Sequence, residues 1–246
     1  RFLLLLSIFI FIVLFAFPYI IKRLDYQLNG KEILYSIRKS KDRNKKVKKV
    51  IIGDSVAKQL YSNLEFNDSI YSLTANQAIS FVGYYILLKN FLENNHTEEV
   101  ILFINPFTLA NNLDQVFTYQ YFLKPFYKEE YYNDFSVNVW KQIKKQNLYY
   151  ISQFPYILNT NVVPKYEEES NKTYSISPIN KEYIKKTIVL LKFHNVKYKF
   201  IMSPVNEIFK KDIDNLNRVD FFNSGFSEEE VNKYFNNVIY LPDSCF

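Results

Sequence analysis

Val50-Ile51-Ile52-Gly53-Asp54-Ser55 decides how this chain is read. An apolar run ends in a Gly-Asp-Ser turn, and a helix-like stretch begins at the serine. A strand that turns this tightly into a helix sets the hydroxyl at the strand's carboxyl end and at the positive end of a helix dipole. Open α/β sheets gather their chemistry at that place. Only four glycines occur in 246 residues, far below the about 7% of an average chain. One of the four is Gly53, which implies a backbone requirement at the turn.

Outward from this turn, strand and helix patterns alternate. Residues 50–53 are expected as a first strand and 55–63 as a short helix. Residues 70–74 follow as a second strand and 78–94 as an amphipathic helix, with Ile79, Val82, Ile86, Leu87 and Phe91 at helical spacing. Residues 99–104 are apolar throughout, as a central parallel strand is. A helix over 181–194, with Ile184, Ile188, Leu191 and Val189 as inward positions, precedes a fourth strand at 198–202. Ser227 with Glu230 three residues on forms a capping box for a helix over 227–236, and 238–241 reads as a fifth strand. Alternation of this kind implies a parallel sheet covered by helices.

Between the third and fourth strands lies a long insertion, residues 106–178. It holds Phe117, Tyr119, Tyr121, Phe122, Phe126, Tyr127, Tyr131 and Tyr132, with Trp140 on a helix over 137–146. Two readings fit these aromatics, a local core or a wall that stacks on sugar rings.

Upstream, residues 2–21 are apolar apart from Ser7, with Pro18 near the end. About 20 such residues match the bilayer core. No Ala-x-Ala site follows, so an uncleaved transmembrane anchor is expected rather than a signal peptide. Residues 22–47 read as a basic juxtamembrane linker, with a short helix at 31–38 and a solvated lysine run from residue 39. An ordinary solvated face is the alternative. The positive-inside rule would keep this flank in the cytoplasm. The chain begins at Arg1 and is expected to be a piece of a longer protein.

The net charge is +6. Lys, Asn, Ile, Phe and Tyr are abundant while Arg, Gly, Ala and Trp are scarce, a bias that follows A/T-rich codons. Lysine outweighs arginine, and bidentate phosphate recognition favours arginine, so nucleic acid is not expected as a partner. One cysteine, Cys245, and two histidines, His96 and His194, offer no disulfide framework and no cysteine metal site. Neither metal nor cofactor is expected.

With Gly53-Asp54-Ser55 closing a first strand and further α/β units behind it, residues 48–246 resemble the SGNH hydrolase superfamily, the GDSL-type esterases and acetylesterases. The resemblance implies a three-layer α/β/α domain on a five-stranded parallel sheet of flavodoxin-like type. It makes Ser55 the nucleophile, with its own backbone N–H as oxyanion donor and Gly53 and Asp54 as the structural turn. The family's second block supplies a glycine. Here Thr74-Ala75-Asn76-Gln77-Ala78 stands in its place, so Asn76 or Gln77 becomes the second donor. The third block, Gly-x-Asn-Asp, is replaced by Asn105-Pro106-Phe107-Thr108, in which Asn105 carries the amide in a shifted register. Asn206, in Ser203-Pro204-Val205-Asn206, adds to the rim. For Asn76, Asn105 and Asn206 turn formation is an equal reading.

The family's Asp-x-x-His block is expected beyond Phe246, with Asp243 as the other candidate acid. His194 and His96 precede strands and read as surface residues at the opposite edge of the sheet. The loops are closer to divergent, membrane-anchored relatives that act in cell-surface polysaccharide acetylation. By resemblance, then, the full-length protein is a bacterial, single-pass, extracytoplasmic serine esterase or acyl (acetyl) transferase. Its substrate is an acylated carbohydrate or other ester, and the chain as given is inactive for want of its histidine. The alternative is a non-catalytic SGNH-like domain that binds glycan or a partner membrane acyltransferase.

Overall fold

The computed structural model describes residues 2–25, 31–64, 69–115, 117–145, 175–214, 216, 218–242 and 244. In chain order the elements are α1 (Phe2–Asp25), α2 (Lys31–Ser40), β1 (Lys46–Gly53), α3 (Ser55–Leu60), β2 (Ile70–Ser72), α4 (Ser80–Leu92) and β3 (His96–Phe103). Then come α5 (Pro106–Ala110), α6 (Lys124–Phe126), α7 (Val137–Lys145), α8 (Pro178–Phe193) and β4 (Lys197–Ile201). The chain continues with β5 (Val205–Asn206), α9 (Lys210–Asp214), α10 (Arg218–Asn223), α11 (Glu228–Asn236) and β6 (Tyr240–Leu241).

The protein is α/β, built on a parallel four-stranded sheet in the order β2-β1-β3-β4. Its strand order reverses between β1 and β3, which is where doubly wound sheets open a crevice at their carboxyl edge. The expected fifth strand does not join this sheet. Pro204 offers no N–H to extend a ladder past β4, and α11 packs on β4 and carries the chain past it. The following strand is cut to Tyr240–Leu241, which pairs in parallel with Val205–Asn206 as a separate two-stranded ladder.

The two faces of the sheet are covered unequally. Val50 and Ile52 of β1 and Val100 and Leu102 of β3 point to one face, where α4 packs between α2 and α8. Ile79, Val82, Ile86, Leu87 and Phe91 are all buried there, with Ile33 and Ile37 of α2 and Ile184, Ile188 and Leu191 of α8. Val189, expected inward, is instead 66% exposed. The other face is set by the alternate residues, as a period of two requires. Its described cover is the short α3, with Ala57 under Gly53 and Tyr61 against Phe103 at 5.5 Å. Lower on that face Glu99 stands between Lys49 (3.8 Å) and Lys199 (2.6 Å). A full third layer would bury apolar side chains at those positions, so the even α/β/α sandwich is not what the described residues form.

Nor is α2 part of a loose connector. It is a docked amphipathic helix, and Lys39 in its last turn is buried rather than solvated. The Lys39 ammonium donates to the Asn63 carbonyl at 2.8 Å and sits over the Tyr71 ring at 4.7 Å. Burial is the main reason its pKa falls to about 8, with Asp42 pulling the other way. The lysine run from Lys46 onward belongs to β1 itself.

The described side chains of α1 are residues 2–13, 15 and 16, nearly all exposed. Among the described residues no helix is long and apolar enough to cross a membrane.

In the insertion, Tyr119, Phe122, Phe126 and Tyr131 are buried; Phe122 stacks on Phe126, and Phe135 and Tyr131 tilt against that pair. The aromatics there form a core, joined at its edge by Tyr127, Tyr132 and Trp140. Residues 146–174 lie outside the described residues. The two ends of the insertion meet at Asn180, which is fully buried. Its amide nitrogen lies 2.7 to 2.8 Å from the carbonyls of Thr108, Leu109 and Asn111. Its amide oxygen accepts from the Ser80 hydroxyl and the Phe81 N–H at the start of α4. One side chain thus ties α4, α5 and α8 together. Changing Asn180→Asp puts a carboxylate against three carbonyls and is expected to cost about 3 kcal/mol or more, seen as a lower urea midpoint; Asn180→Ala should cost about 2 kcal/mol.

Candidate functional site

The turn after β1 is shaped by close packing. A β-carbon on Gly53 would lie 2.5 Å from the β-carbon of Ala57 and 2.6 Å from the Phe103 carbonyl oxygen. Gly53 is required because β3 and α3 both press on it. The next residue, Asp54, is the N-cap of α3 and is wholly buried. Its Oδ1 accepts from the Val56 and Ala57 N–H groups at 3.0 and 3.1 Å, and its Oδ2 from the Asn105 N–H at 3.1 Å. The Ser203 hydroxyl reaches both oxygens, at 3.2 and 3.1 Å.

This carboxylate therefore joins the segments that follow β1, β3 and β4. Burial dominates its titration and raises the pKa above the usual carboxyl value. The surrounding donors pull it back, because each hydrogen bond favours the ionised form. Two buried tyrosines feel the same charge. Tyr234 donates to the Ile104 carbonyl at 2.6 Å, while the Tyr84 hydroxyl is buried beside Thr108. Burial first, then the Asp54 charge, pushes both phenols well up.

Ser55 is the first residue of α3 and is half-buried. Among the described residues neither its N–H nor its hydroxyl has a hydrogen-bond partner. A helix leaves its first N–H groups unsatisfied. Asp54 takes those of Val56 and Ala57 and leaves that of Ser55 open.

Beside this turn the chain after β2 is brought alongside by the Ala75 N–H, which donates to the Gly53 carbonyl at 2.8 Å. Asn76 follows directly. Its amide oxygen accepts from the Ala78 N–H at 2.9 Å and caps a short 3-10 turn, Gln77–Ile79. Asn105 does the same for α5, accepting from Thr108 N–H at 2.8 Å. Asn206 repeats it by accepting from Ile208 N–H at 3.1 Å. All three asparagines are thus helix-turn caps, as their short side chains favour. The cap consumes the amide oxygen and leaves the NH2 group to donate elsewhere. In Asn105 that group lies 3.5 Å from Gln77 Oε1, a long contact that links the second and third loops. Gln77 also accepts from the Asn111 amide through its carbonyl at 2.9 Å.

Ser55, Asn76, Gln77 and Asn105 therefore share the carboxyl edge of the sheet. Asn206 lies on the β5–β6 ladder, and Ser203, three residues earlier, is the one that reaches Asp54. Asp243 lies outside the described residues. His96 opens β3 opposite Lys46, and His194 caps the end of α8 ahead of β4, so both occupy the amino edge. Among the described residues no group of His, Cys, Asp and Glu could hold a metal ion. Sequence reasoning missed Ser203, Tyr84 and Tyr234. The first had a signal, a small hydroxyl directly after a strand. The two tyrosines had none, because core and site aromatics look alike in a chain so rich in them.

No family model, no curated protein and no solved structure matches this chain.

The Asp54 network yields a signed expectation. Asp54→Asn keeps one acceptor but turns an NH2 group toward the Asn105 N–H or Ser203, and should cost about 2 kcal/mol near neutral pH. An acid whose folded pKa is raised binds its proton more tightly in the folded state. Wild-type stability should therefore fall as pH rises from the ordinary 3.8 through the raised folded value. The gap between wild type and Asp54→Asn should narrow over that window and stay level above it, as urea midpoints at successive pH values will measure.

Proposed function

We propose that this chain carries the SGNH-like domain of a membrane-anchored serine esterase or acyl (acetyl) transferase, acting on an ester of a cell-surface glycan. The observation that carries the reading is Ser55. Its hydroxyl and its N–H both stand open at the carboxyl end of β1, above a buried carboxylate that is fully occupied by other donors.

In this reading Ser55 Oγ attacks the ester carbonyl and forms an acyl-enzyme as the alcohol leaves. The Ser55 N–H and the Asn76 NH2 donate to the oxyanion. Asp54 holds the turn and takes no proton from Ser55, since its lone pairs face Val56, Ala57, Asn105 and Ser203. The proton goes to a general base outside the described carboxyl edge, the role that the resemblance gives to a histidine, since His96 and His194 both lie at the amino edge. Water or a sugar hydroxyl then resolves the acyl group. Helix α1 is the anchor, and the domain lies outside the cytoplasm.

The second reading is a non-catalytic SGNH-like domain that binds glycan or a partner acyltransferase. The commitment of Asn105 to capping and to Gln77 favours it, since that amide has little left for an oxyanion.

A serine-reactive phosphonate separates the two. The full-length protein should label at one site, and Ser55→Ala should abolish labelling while keeping the wild-type urea midpoint. Asn76→Ala should slow labelling by about tenfold to a thousandfold, the range seen on loss of one oxyanion donor. Equal labelling of wild type and Ser55→Ala removes the nucleophile assignment.

A further inference from the structure

The fold decides which edge of the sheet lies nearest α1. Helix α2 runs antiparallel to the strands, and its contacts order it from end to end. Near its carboxyl end the Ser40 hydroxyl accepts from Asn90 Nδ2 late in α4, and the Lys39 carbonyl accepts from Tyr71 in β2. One turn earlier, the Ser36 hydroxyl donates to the Thr74 carbonyl, past the end of β2. Another turn earlier, the Glu32 carbonyl accepts from Asn63 Nδ2, which also reaches the Thr74 carbonyl. The amino end of α2 therefore stands at the carboxyl edge of the sheet, the edge of Ser55 and Asn76.

Five residues, 26–30, separate Asp25 of α1 from Lys31 of α2. Covalent geometry limits that join to about 22 Å at full extension. The amino edge lies farther off. Eight-residue β1 alone is about 26 Å long. A bilayer that held α1 could touch the amino edge only with this join stretched to its limit.

The carboxyl edge also has the chemistry of a lipid-facing rim. Just past β5, Ile208 is 66% exposed. It is backed by Phe209, whose ring meets Phe107 of α5 at 4.8 Å, two residues beyond Asn105. Exposed Lys210 and Lys211 follow at once, with Lys210 also leaning on the Tyr240 ring at 5.7 Å. An apolar tip with two lysines behind it, whose long stems can reach past Glu207, Asp212 and Asp214 to the phosphates, suits the headgroup interface.

We propose that the carboxyl edge faces the bilayer that holds α1, with Ile208 at the headgroup level and Lys210 and Lys211 against anionic phosphates. The ester brought to Ser55 is then borne by a lipid at that surface rather than by a free soluble glycan. This rests on α1 as anchor and Ser55 as nucleophile, and it names the substrate class of that same site.

The test uses the full-length protein with Cys245→Ser and one new cysteine, either Ile208→Cys or Lys197→Cys, carrying an environment-sensitive fluorophore. Vesicles contain phosphatidylcholine and phosphatidylglycerol. On reconstitution the label at 208 should shift to the blue and lose aqueous quenching several-fold, while the label at 197, on the amino edge, should keep both. Protein that floats with vesicles while the two labels stay equally quenched overturns the orientation and leaves the anchor standing. Protein that does not float overturns both. On the same vesicles a lipid-linked phosphonate should label Ser55 several-fold faster than a soluble one. A soluble phosphonate that labels as fast or faster overturns the lipid-borne substrate and keeps the nucleophile, whereas absence of labelling by either probe overturns the nucleophile too.

Discussion

A single buried carboxylate organises the carboxyl edge of this sheet. Asp54 has no solvent to share its charge, so each lone pair must find a donor within the protein. The donors come from the start of α3, from the turn after β3 and from the turn after β4. The pairing of β1, β3 and β4 sets the ends of these strands side by side, and the charge pins the turns that follow them to one another. Ser55 is exposed to chemistry because Asp54 is not. The capping carboxylate is sealed below, and the next residue is left facing out with its N–H unclaimed.

A second polar hub works one layer away. Asn180 gathers the carbonyls at the end of α5, which Ser177 and the Asn111 N–H also help to satisfy, and the donors that open α4. A helix end buried without partners is costly, and here one amide supplies partners to two. The arrangement explains how a long insertion leaves β3 and returns to α8 without disturbing the sheet. Its aromatics close over one another beside that hub rather than opening a wall to solvent.

Legibility from the sequence followed the strength of the local signal. The first strand and its turn were plain, since Val50, Ile51 and Ile52 are apolar and Gly53 is one of few glycines. The Ser227–Glu230 capping box was read from spacing and is present with both bonds made. Positions along α4 were read from periodicity, and all of them are buried. Val189 failed the same reasoning because α8 is apolar over more of its surface than it buries. Most of the lysine run is exposed as expected, and Lys39 at its head departs from it for a physical reason as well. A lysine can bury its stem and head where a carbonyl and an aromatic face await it, as Asn63 and Tyr71 do for Lys39, and nothing local announces them.

The sequence by itself determined the alternation of strand and helix, the parallel sheet, and a serine at the end of its first strand. These follow from hydrophobic period and turn chemistry, which act over a few residues. Tertiary structure alone decided the partners. It brought Ser203 rather than Asn206 to Asp54, turned three asparagines into caps, diverted the last strand to β5, and set the amino end of α2 at the edge that carries Ser55. Those outcomes depend on where buried charges and unpaired backbone groups find donors across the fold, and such distances are not written in any local stretch of chain.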